Sequence, residues 1–219
     1  MSSSEPVRVP LDPGVAAAQL SDSLDETGVR GRVLDPAVRP LRAGMRALGR
    51  ARTVRFVPAG TAGENPYDDM IDFIDSVLPG EVVVIAAGGS DRSACWGELF
   101  SAAAKGRGAA GVVCDGYVRD RGKVLELGFP VFARGTRPID YRARMRVAAV
   151  QEPVTCGGVL VAPGDLVLAE DDGIVSVPRS REAEVASRAE ARLATESDVL
   201  SDLLGGARLR EVWERYRVL

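Results

Sequence analysis

Apolar residues recur along this chain at two spacings, one typical of helices and one typical of strands. Apolar positions three and four residues apart predict helices over residues 13–27, 66–78, 98–105, 121–127 and 181–204. Short continuous apolar runs, together with one alternating segment at 50–57, predict strands over 50–57, 82–86, 111–115, 130–134, 147–154, 159–162, 166–169 and 174–177. A Pro-Gly turn precedes two of these strands, at Pro79-Gly80 and at Pro163-Gly164.

The order of these elements indicates the fold class. Strands alternate with helices in the middle of the chain, and several short strands follow in succession, which predicts an α/β sandwich with a mixed sheet in a single domain. We expect an N-terminal tail over residues 1–12, a main domain over 13–180, and a helical extension over 181–219 that packs on the same or a neighbouring subunit. A chain of 219 residues, 46% apolar and 27% charged, is long enough to bury a full core.

The net charge and the N-terminal sequence limit the kinds of partner that we expect for this protein. The chain has 28 Lys and Arg against 31 Asp and Glu, a formal charge of −3, so we expect no nucleic-acid partner. Eight arginines lie within residues 30–55; such a stretch can bind a polyanion, but we expect these residues to face solvent or a neighbouring subunit. No apolar run approaches the ~18 residues of a membrane span. The first residues lack the basic start and apolar stretch of a signal peptide, which predicts a cytoplasmic protein with no membrane partner.

The absence of histidine restricts the chemistry. Without it, Ser-His, Cys-His and His-metal mechanisms are excluded, so catalysis must use carboxylates, Arg, Lys, Tyr, Cys or bound water. The three cysteines, Cys95, Cys114 and Cys156, form no CxxC pair, which argues against a disulfide framework and a zinc site.

Two loops follow predicted buried strands, where open α/β sheets place ligands. The first, residues 88–97, leads into the helix that begins at Glu98, and the free N–H groups of a helix start attract anions. We expect Cys95 and Trp96 in this loop to line the entrance of a pocket, while Trp96 equally fits an aromatic side chain packed at an interface. The second loop contains Arg119, whose planar guanidinium suits a carboxylate, and Asp120, a hard oxygen ligand for Mg²⁺. An adjacent Arg-Asp pair is also common as a surface ion pair, so both interpretations stay open here.

The spacing of these two loops resembles a known family. Gly97-Glu98, twenty intervening residues and Arg119-Asp120 resemble the D/E-x20-R-D signature of the RraA-like family. That family contains class II 4-hydroxy-4-methyl-2-oxoglutarate/4-carboxy-4-hydroxy-2-oxoadipate aldolases and regulators of RNase E activity. Further similar segments occur in the family's order, over residues 20–25, 34–41, 105–120, 129–135 and 163–178.

The resemblance implies a fold, an assembly and a site. The implied fold is a swivelling β/β/α-type sandwich, assembled as a homotrimer or homohexamer with active sites between subunits. The implied metal ligand is Asp120, holding Mg²⁺ or Mn²⁺, and Arg119 would bind the keto-acid end of the substrate. The remaining implied substrate-binding residues are Gly97, Glu98, Leu99 and Phe100. Position 98 is Glu, where many aldolases of the family have Asp.

The implied reaction is cleavage of a 4-hydroxy-2-oxo acid to pyruvate, with oxaloacetate decarboxylation as a side activity. The catalytic residues would be Arg119, which adds positive charge beside the developing enolate, and Glu98, which polarises a water that takes the hydroxyl proton. A Schiff-base route could use only Lys105 or Lys123. Two further alternatives are a non-catalytic regulator of an RNA-processing nuclease and a diverged small-molecule lyase. Regulators in the family tend to lack the metal-binding Asp, so Asp120 favours an enzyme.

Overall fold

The computed structural model describes Val7 and residues 9–219, so most of the predicted tail (residues 1–6 and 8) lies outside the described residues. The α-helices are α1 (Ala17–Glu26), α2 (Asp68–Asp75), α3 (Glu98–Gly106), α4 (Arg121–Glu126), α5 (Glu182–Leu204) and α6 (Leu209–Tyr216). The strands are β1 (Arg39–Pro40), β2 (Ala47–Pro58), β3 (Glu81–Ala86), β4 (Ala94–Trp96), β5 (Gly111–Val118), β6 (Val131–Thr136), β7 (Met145–Val150), β8 (Val154–Cys156), β9 (Val159–Val161), β10 (Leu166–Glu170) and β11 (Gly173–Val177). In the described part of the chain, no helix is both long and apolar enough to cross a bilayer.

Nine of the strands form one mixed sheet. Its main path runs β1-β6-β5-β3-β2-β10-β11, while β4 pairs with β5 and β7 pairs with β2. The pairs among β2, β3, β5 and β6 are parallel, whereas β10 and β11 are antiparallel. Every residue of β3 is buried, as expected for a parallel strand covered on both faces. The predicted class, α/β with a mixed sheet, is confirmed.

Two apolar clusters stabilise this sheet. The larger surrounds the parallel strands and includes Phe73 of α2, Ile85 of β3 and Phe132 of β6. The smaller joins the antiparallel end of the sheet to α1 and α5, through residues such as Leu24 and Val185. Helix α5 therefore packs on its own chain, against α1.

Two of the three arginines of β2, Arg50 and Arg52, are buried, which the alternating pattern did not predict; Arg55 is exposed. Arg52 Nη1 lies 3.2 Å from Glu81 Oε2, and Arg50 pairs with Glu182; all four side chains are less than one-tenth exposed. Strand β2 lies inside the sheet between β3 and β10, so Arg50 and Arg52 reach carboxylates instead of water. The expectation that this stretch faces solvent or a neighbouring subunit is wrong for these two residues.

Some boundaries also differ from the prediction. The strand predicted over 147–154 is divided into β7 and β8, because Gln151 adopts a left-handed conformation with φ of 54° between them. The short strand β4 lies inside the segment predicted as a loop. Its three residues are stabilised by pairing with β5, a contact that no local pattern reveals.

Candidate active site

The two loops singled out by the sequence leave the sheet side by side. Strands β4 and β5 are parallel neighbours, and Trp96 at the end of β4 pairs with Val118 at the end of β5. The backbone N–H of Arg119 donates to the carbonyl oxygen of Trp96 at 2.9 Å, which joins the two loops directly. Gly97-Glu98 and Arg119-Asp120 therefore meet at the carboxyl edge of the sheet, where α/β proteins place ligands.

Gly97 permits this close approach. A Cβ atom at this position would lie 2.9 Å from Arg119 Cγ and 2.9 Å from Asp120 Oδ2, closer than normal contacts. Gly97 is also the residue before α3, and its carbonyl oxygen accepts hydrogen bonds from the N–H and hydroxyl of Ser101 at 3.0 and 2.9 Å. Trp96 Nε1 donates a hydrogen bond to the same Ser101 hydroxyl at 2.7 Å, so a buried side chain anchors the first turn of α3.

Asp120 is held in a conformation that few side chains favour. Its φ of 58° and ψ of 36° are left-handed, and Asp tolerates this region better than most residues. The residue immediately precedes α4, and its Oδ2 lies 3.4 Å from the backbone nitrogen of Glu98. The side chain is 40% exposed, so it remains open to a ligand.

All the predicted site residues line one cavity of about 620 Å³. They are Gly97, Glu98, Leu99, Phe100, Arg119 and Asp120. Lys123, named above as a Schiff-base candidate, also lines the cavity, together with four residues that the sequence did not indicate: Tyr67, Ile71, Ala94 and Tyr141. The expectation that Cys95 and Trp96 line an entrance is wrong, since each is only 1% exposed and belongs to the core.

Glu98 forms an ion pair at the cavity wall. Its Oε2 lies 3.0 Å from Lys123 Nζ, one turn into α4. The hydrogen bond and the charge of Glu98 raise the pKa of Lys123 above its usual value, so this amine stays protonated. Lys105 does not line the cavity and donates to the carbonyl of Leu127. A Schiff base requires a neutral amine in the site, whereas Lys123 lines the cavity as the ion-pair partner of Glu98.

Asp140, which the sequence pattern did not indicate, holds the side chain of Arg119 at this site. Its Oδ2 accepts hydrogen bonds from Arg119 Nη1 at 2.8 Å and from the Tyr67 hydroxyl at 3.0 Å, and its Oδ1 accepts the N–H of Arg142 at 2.7 Å. Partial burial opposes ionisation, but the bonds from Arg142, Tyr67 and Arg119 outweigh it and hold the pKa of Asp140 below its usual range.

The position of Asp140 depends on a contact between distant segments. The Ala94 N–H of β4 donates to the carbonyl of Ile139 at 2.8 Å, which places the next residue beside the Arg119 loop. The one sequence signal is that Asp140 follows the strand predicted over 130–134, a neighbour of the strand before Arg119. No motif links the two residues.

Two tyrosine side chains also line the cavity. Tyr67 and Tyr141 make an edge-to-face contact with ring centroids 5.4 Å apart. Burial raises the pKa of Tyr141 well above its usual value, and its hydroxyl has no hydrogen-bond partner among the described residues. The cavity thus combines an ionic wall with an aromatic wall.

The oxygen ligand at this cavity, the carboxylate of Asp120, suits a weakly bound Mg²⁺ or Mn²⁺ ion. Among residues 7 and 9–219 there is no cluster of three or more Asp, Glu, Cys or His side chains that could enclose a metal ion. Mg²⁺ commonly takes one or two carboxylates and completes its shell with water and substrate oxygens. Asp120 supplies one such carboxylate, exposed to the cavity, so the residues suit an ion completed by substrate.

The fold and this cavity define a class: a mixed α/β protein in which a guanidinium, a carboxylate and the start of a helix line one cavity. The sequence profile of aldolase/RraA proteins, the RraA-like family, matches residues 17–176. This chain belongs to the RraA-like family.

Individual relatives agree with this assignment. The chain is 30% identical to protein DlpA of Legionella pneumophila over 91% of its own length, but it spans only 32% of DlpA. It is 33% identical to a Halalkalibacterium halodurans protein provisionally named as a 4-hydroxy-4-methyl-2-oxoglutarate aldolase, covering 80% of this chain and 78% of that protein. The crystal structure of Streptomyces coelicolor RraAS2, described as an unusual member of the RNase ES inhibitor RraA family, superposes with a TM-score of 0.75 at 35% identity, covering 84% of this chain and 91% of RraAS2.

Proposed function

We propose that this protein is a divalent-cation-dependent aldolase that cleaves a 4-hydroxy-2-oxo acid, such as 4-hydroxy-4-methyl-2-oxoglutarate, to release pyruvate. The observation that carries the proposal is the meeting of Arg119, Asp120 and the start of α3 at one cavity. The name of the H. halodurans relative supports the same activity. Oxaloacetate decarboxylation would follow from the same site, because loss of CO₂ from oxaloacetate produces the same pyruvate enolate.

We assign substrate binding to groups that attract the negatively charged oxygens of a ligand. The guanidinium of Arg119 has five N–H donors, and two parallel N–H groups can donate to the two oxygens of the substrate carboxylate. The backbone N–H groups at the start of α3, those of Leu99 and Phe100, have no partner inside the helix and favour a second anionic oxygen. Leu99 is 77% exposed at the cavity, so its backbone lies in reach of a small ligand.

Asp120 would hold the divalent cation, Mg²⁺ or Mn²⁺. When bound, that cation would supply Lewis-acid polarisation of the 2-oxo group. Residues Arg119 and Asp120 are adjacent, so the positive charge of the guanidinium would lie beside the enolate oxygen as it develops.

Proton transfer is assigned to Glu98 acting through a water. The C4 hydroxyl loses its proton to that water, the C3–C4 bond breaks, and its electron pair forms the enolate of pyruvate. A proton then returns to C3, and the C4 fragment leaves as a carbonyl compound. Lys123 Nζ lies 3.0 Å from Glu98 Oε2, so the ion pair orients the carboxylate group that acts on this water.

The direct test is pyruvate release from 4-hydroxy-4-methyl-2-oxoglutarate and from oxaloacetate, with Mg²⁺ and then with EDTA. Asp120→Asn keeps the size of the side chain and tolerates the left-handed backbone, and we expect it to abolish turnover. Asp198→Asn, at an exposed position of α5, is the matched control and should retain activity. Folded wild-type protein without turnover on either substrate would contradict the proposal.

A regulatory role is the second candidate, favoured by the 35% identity to RraAS2. In that case the chain would bind an RNA-processing nuclease and slow its cleavage of RNA. The measurement is nuclease activity with increasing amounts of this protein. Inhibition that Asp120→Asn leaves unchanged, in protein without aldolase activity, would favour this candidate.

The family resemblance also leads us to propose a homotrimer or homohexamer in solution. Sedimentation equilibrium would measure the mass of the assembly, and a monomeric mass would refute this proposal.

A further inference from the structure

The proposed site requires the carboxylate of Asp120 to be available to a cation, although a guanidinium lies next to it. Arg119 and Asp120 are neighbours in sequence, and a guanidinium that pairs tightly with a carboxylate satisfies the oxygens a cation would use. The distance from Arg119 Nε to Asp120 Oδ2 is 3.5 Å, too long for a strong hydrogen bond. Another group must therefore hold the guanidinium in this position.

Asp140 has the contacts to do so. Its Oδ2 lies 2.8 Å from Arg119 Nη1, which is 0.7 Å shorter than the contact of the guanidinium with Asp120. Asp140 is itself oriented by the Tyr67 hydroxyl and by the N–H of Arg142. Its side chain is 24% exposed, so water screens this ion pair less than one at the open surface.

The backbone of Arg119 is fixed independently of its side chain. The Arg119 N–H donates to Trp96 at 2.9 Å, and the next segment is anchored by the Arg137 N–H, which donates to Val118 at 2.9 Å. The direction of the guanidinium is therefore set mainly by which carboxylate it contacts. In the described part of the structure, no hydrogen bond involves Arg119 Nη2, which leaves this nitrogen for a ligand.

We infer that Asp140 is a positioning residue that draws the guanidinium of Arg119 away from Asp120, so that Asp120 is free for a divalent cation and Arg119 for the substrate carboxylate. This inference rests on the proposed function of the site. It assigns Asp140 no contact with the reacting atoms. Loss of Asp140 would let Arg119 turn towards Asp120, and the cation would then compete with the guanidinium for the same oxygens.

The experiment measures Mn²⁺ binding without substrate, from the electron paramagnetic resonance signal of free Mn²⁺. It uses wild type, Asp140→Asn, Arg119→Gln and the double variant. We expect Asp140→Asn to weaken Mn²⁺ binding by about two- to 150-fold, the range of coupling between residues in contact. In the Arg119→Gln background, the same substitution should have little effect, because the competing guanidinium is gone.

Two controls separate positioning from simple loss of negative charge. Asp69→Asn removes an exposed charge of neighbouring α2 and should weaken binding less than Asp140→Asn. Asp140→Glu keeps the charge and should restore at least part of the affinity. It also provides the comparison if Asp140→Asn folds poorly, which circular dichroism would show.

The outcomes distinguish this inference from the proposed function. Equal weakening by Asp140→Asn in both backgrounds would mean that Asp140 acts only as a charge, and it would overturn the inference alone. Unchanged Mn²⁺ binding in Asp140→Asn, with normal pyruvate release by wild type, would do the same. A wild type that binds no Mn²⁺ and releases no pyruvate would overturn the proposed function and this inference together.

Discussion

Replacing Gly97 by Ala tests whether the close approach of the two loops matters for function. The new methyl group would lie 2.9 Å from Arg119 Cγ and 2.9 Å from Asp120 Oδ2, whereas carbon atoms in favourable contact are about 3.5–4.0 Å apart. The neighbouring side chains must therefore move by about 0.5–1 Å. Both are more than one-third exposed, so they can move into the cavity.

This geometry predicts a large effect on activity and a small effect on stability. Adding a methyl group to a closed core costs about 1–3 kcal/mol, and the open side of this site should keep the cost below about 1 kcal/mol. A displacement of about 1 Å at a reacting site lowers the rate by about a hundredfold. That factor corresponds to about 2.7 kcal/mol of lost transition-state stabilisation.

The assay is kcat/KM for pyruvate release, together with the melting temperature. Gly106→Ala is a matched control at the end of the same helix, because a Cβ there meets nothing within 4 Å. We expect Gly106→Ala to retain wild-type kcat/KM and Gly97→Ala to lose about a hundredfold at a nearly unchanged melting temperature. Wild-type kcat/KM in Gly97→Ala would refute the reasoning.

Two further predictions concern the interior. Glu81→Gln removes the charge that pairs with Arg52, and breaking a buried ion pair costs about 3–5 kcal/mol of stability. Thermal melts should therefore show a fall of about 10 °C in the melting temperature. The control Glu64→Gln, at an exposed position, should melt like the wild type. An unchanged melting temperature in Glu81→Gln would show that Arg52 finds another partner. Burial raises the pKa of Cys95 to about 12, and it also raises the pKa values of Cys114 and Cys156 well above the usual value of a thiol. Iodoacetamide at about pH 8.5, near the ordinary thiol pKa, should therefore label native protein very slowly and all three cysteines after unfolding; rapid labelling of the native chain would contradict the burial.

The local pattern of the chain predicted most elements of the fold. The apolar run at 82–86 is a buried parallel strand, and the helix predicted from Glu98 begins at that residue. These elements depend on near neighbours, so the sequence pattern suffices. Strand β4 was missed because its three residues are stabilised by pairing with β5.

The sequence by itself also pointed to the Arg119 loop and the helix start at Glu98, because strand ends and helix starts are local features. Only the tertiary structure placed Asp140 against Arg119, Tyr67 against Asp140, and Lys123 against Glu98. It also showed that Arg50 and Arg52 are buried in ion pairs, where the pattern predicted exposure. The physical reason is the same in each case. A charged side chain pairs with a group on whichever segment the fold brings near, and the spacing of residues along the chain does not reveal which segments lie close together in space.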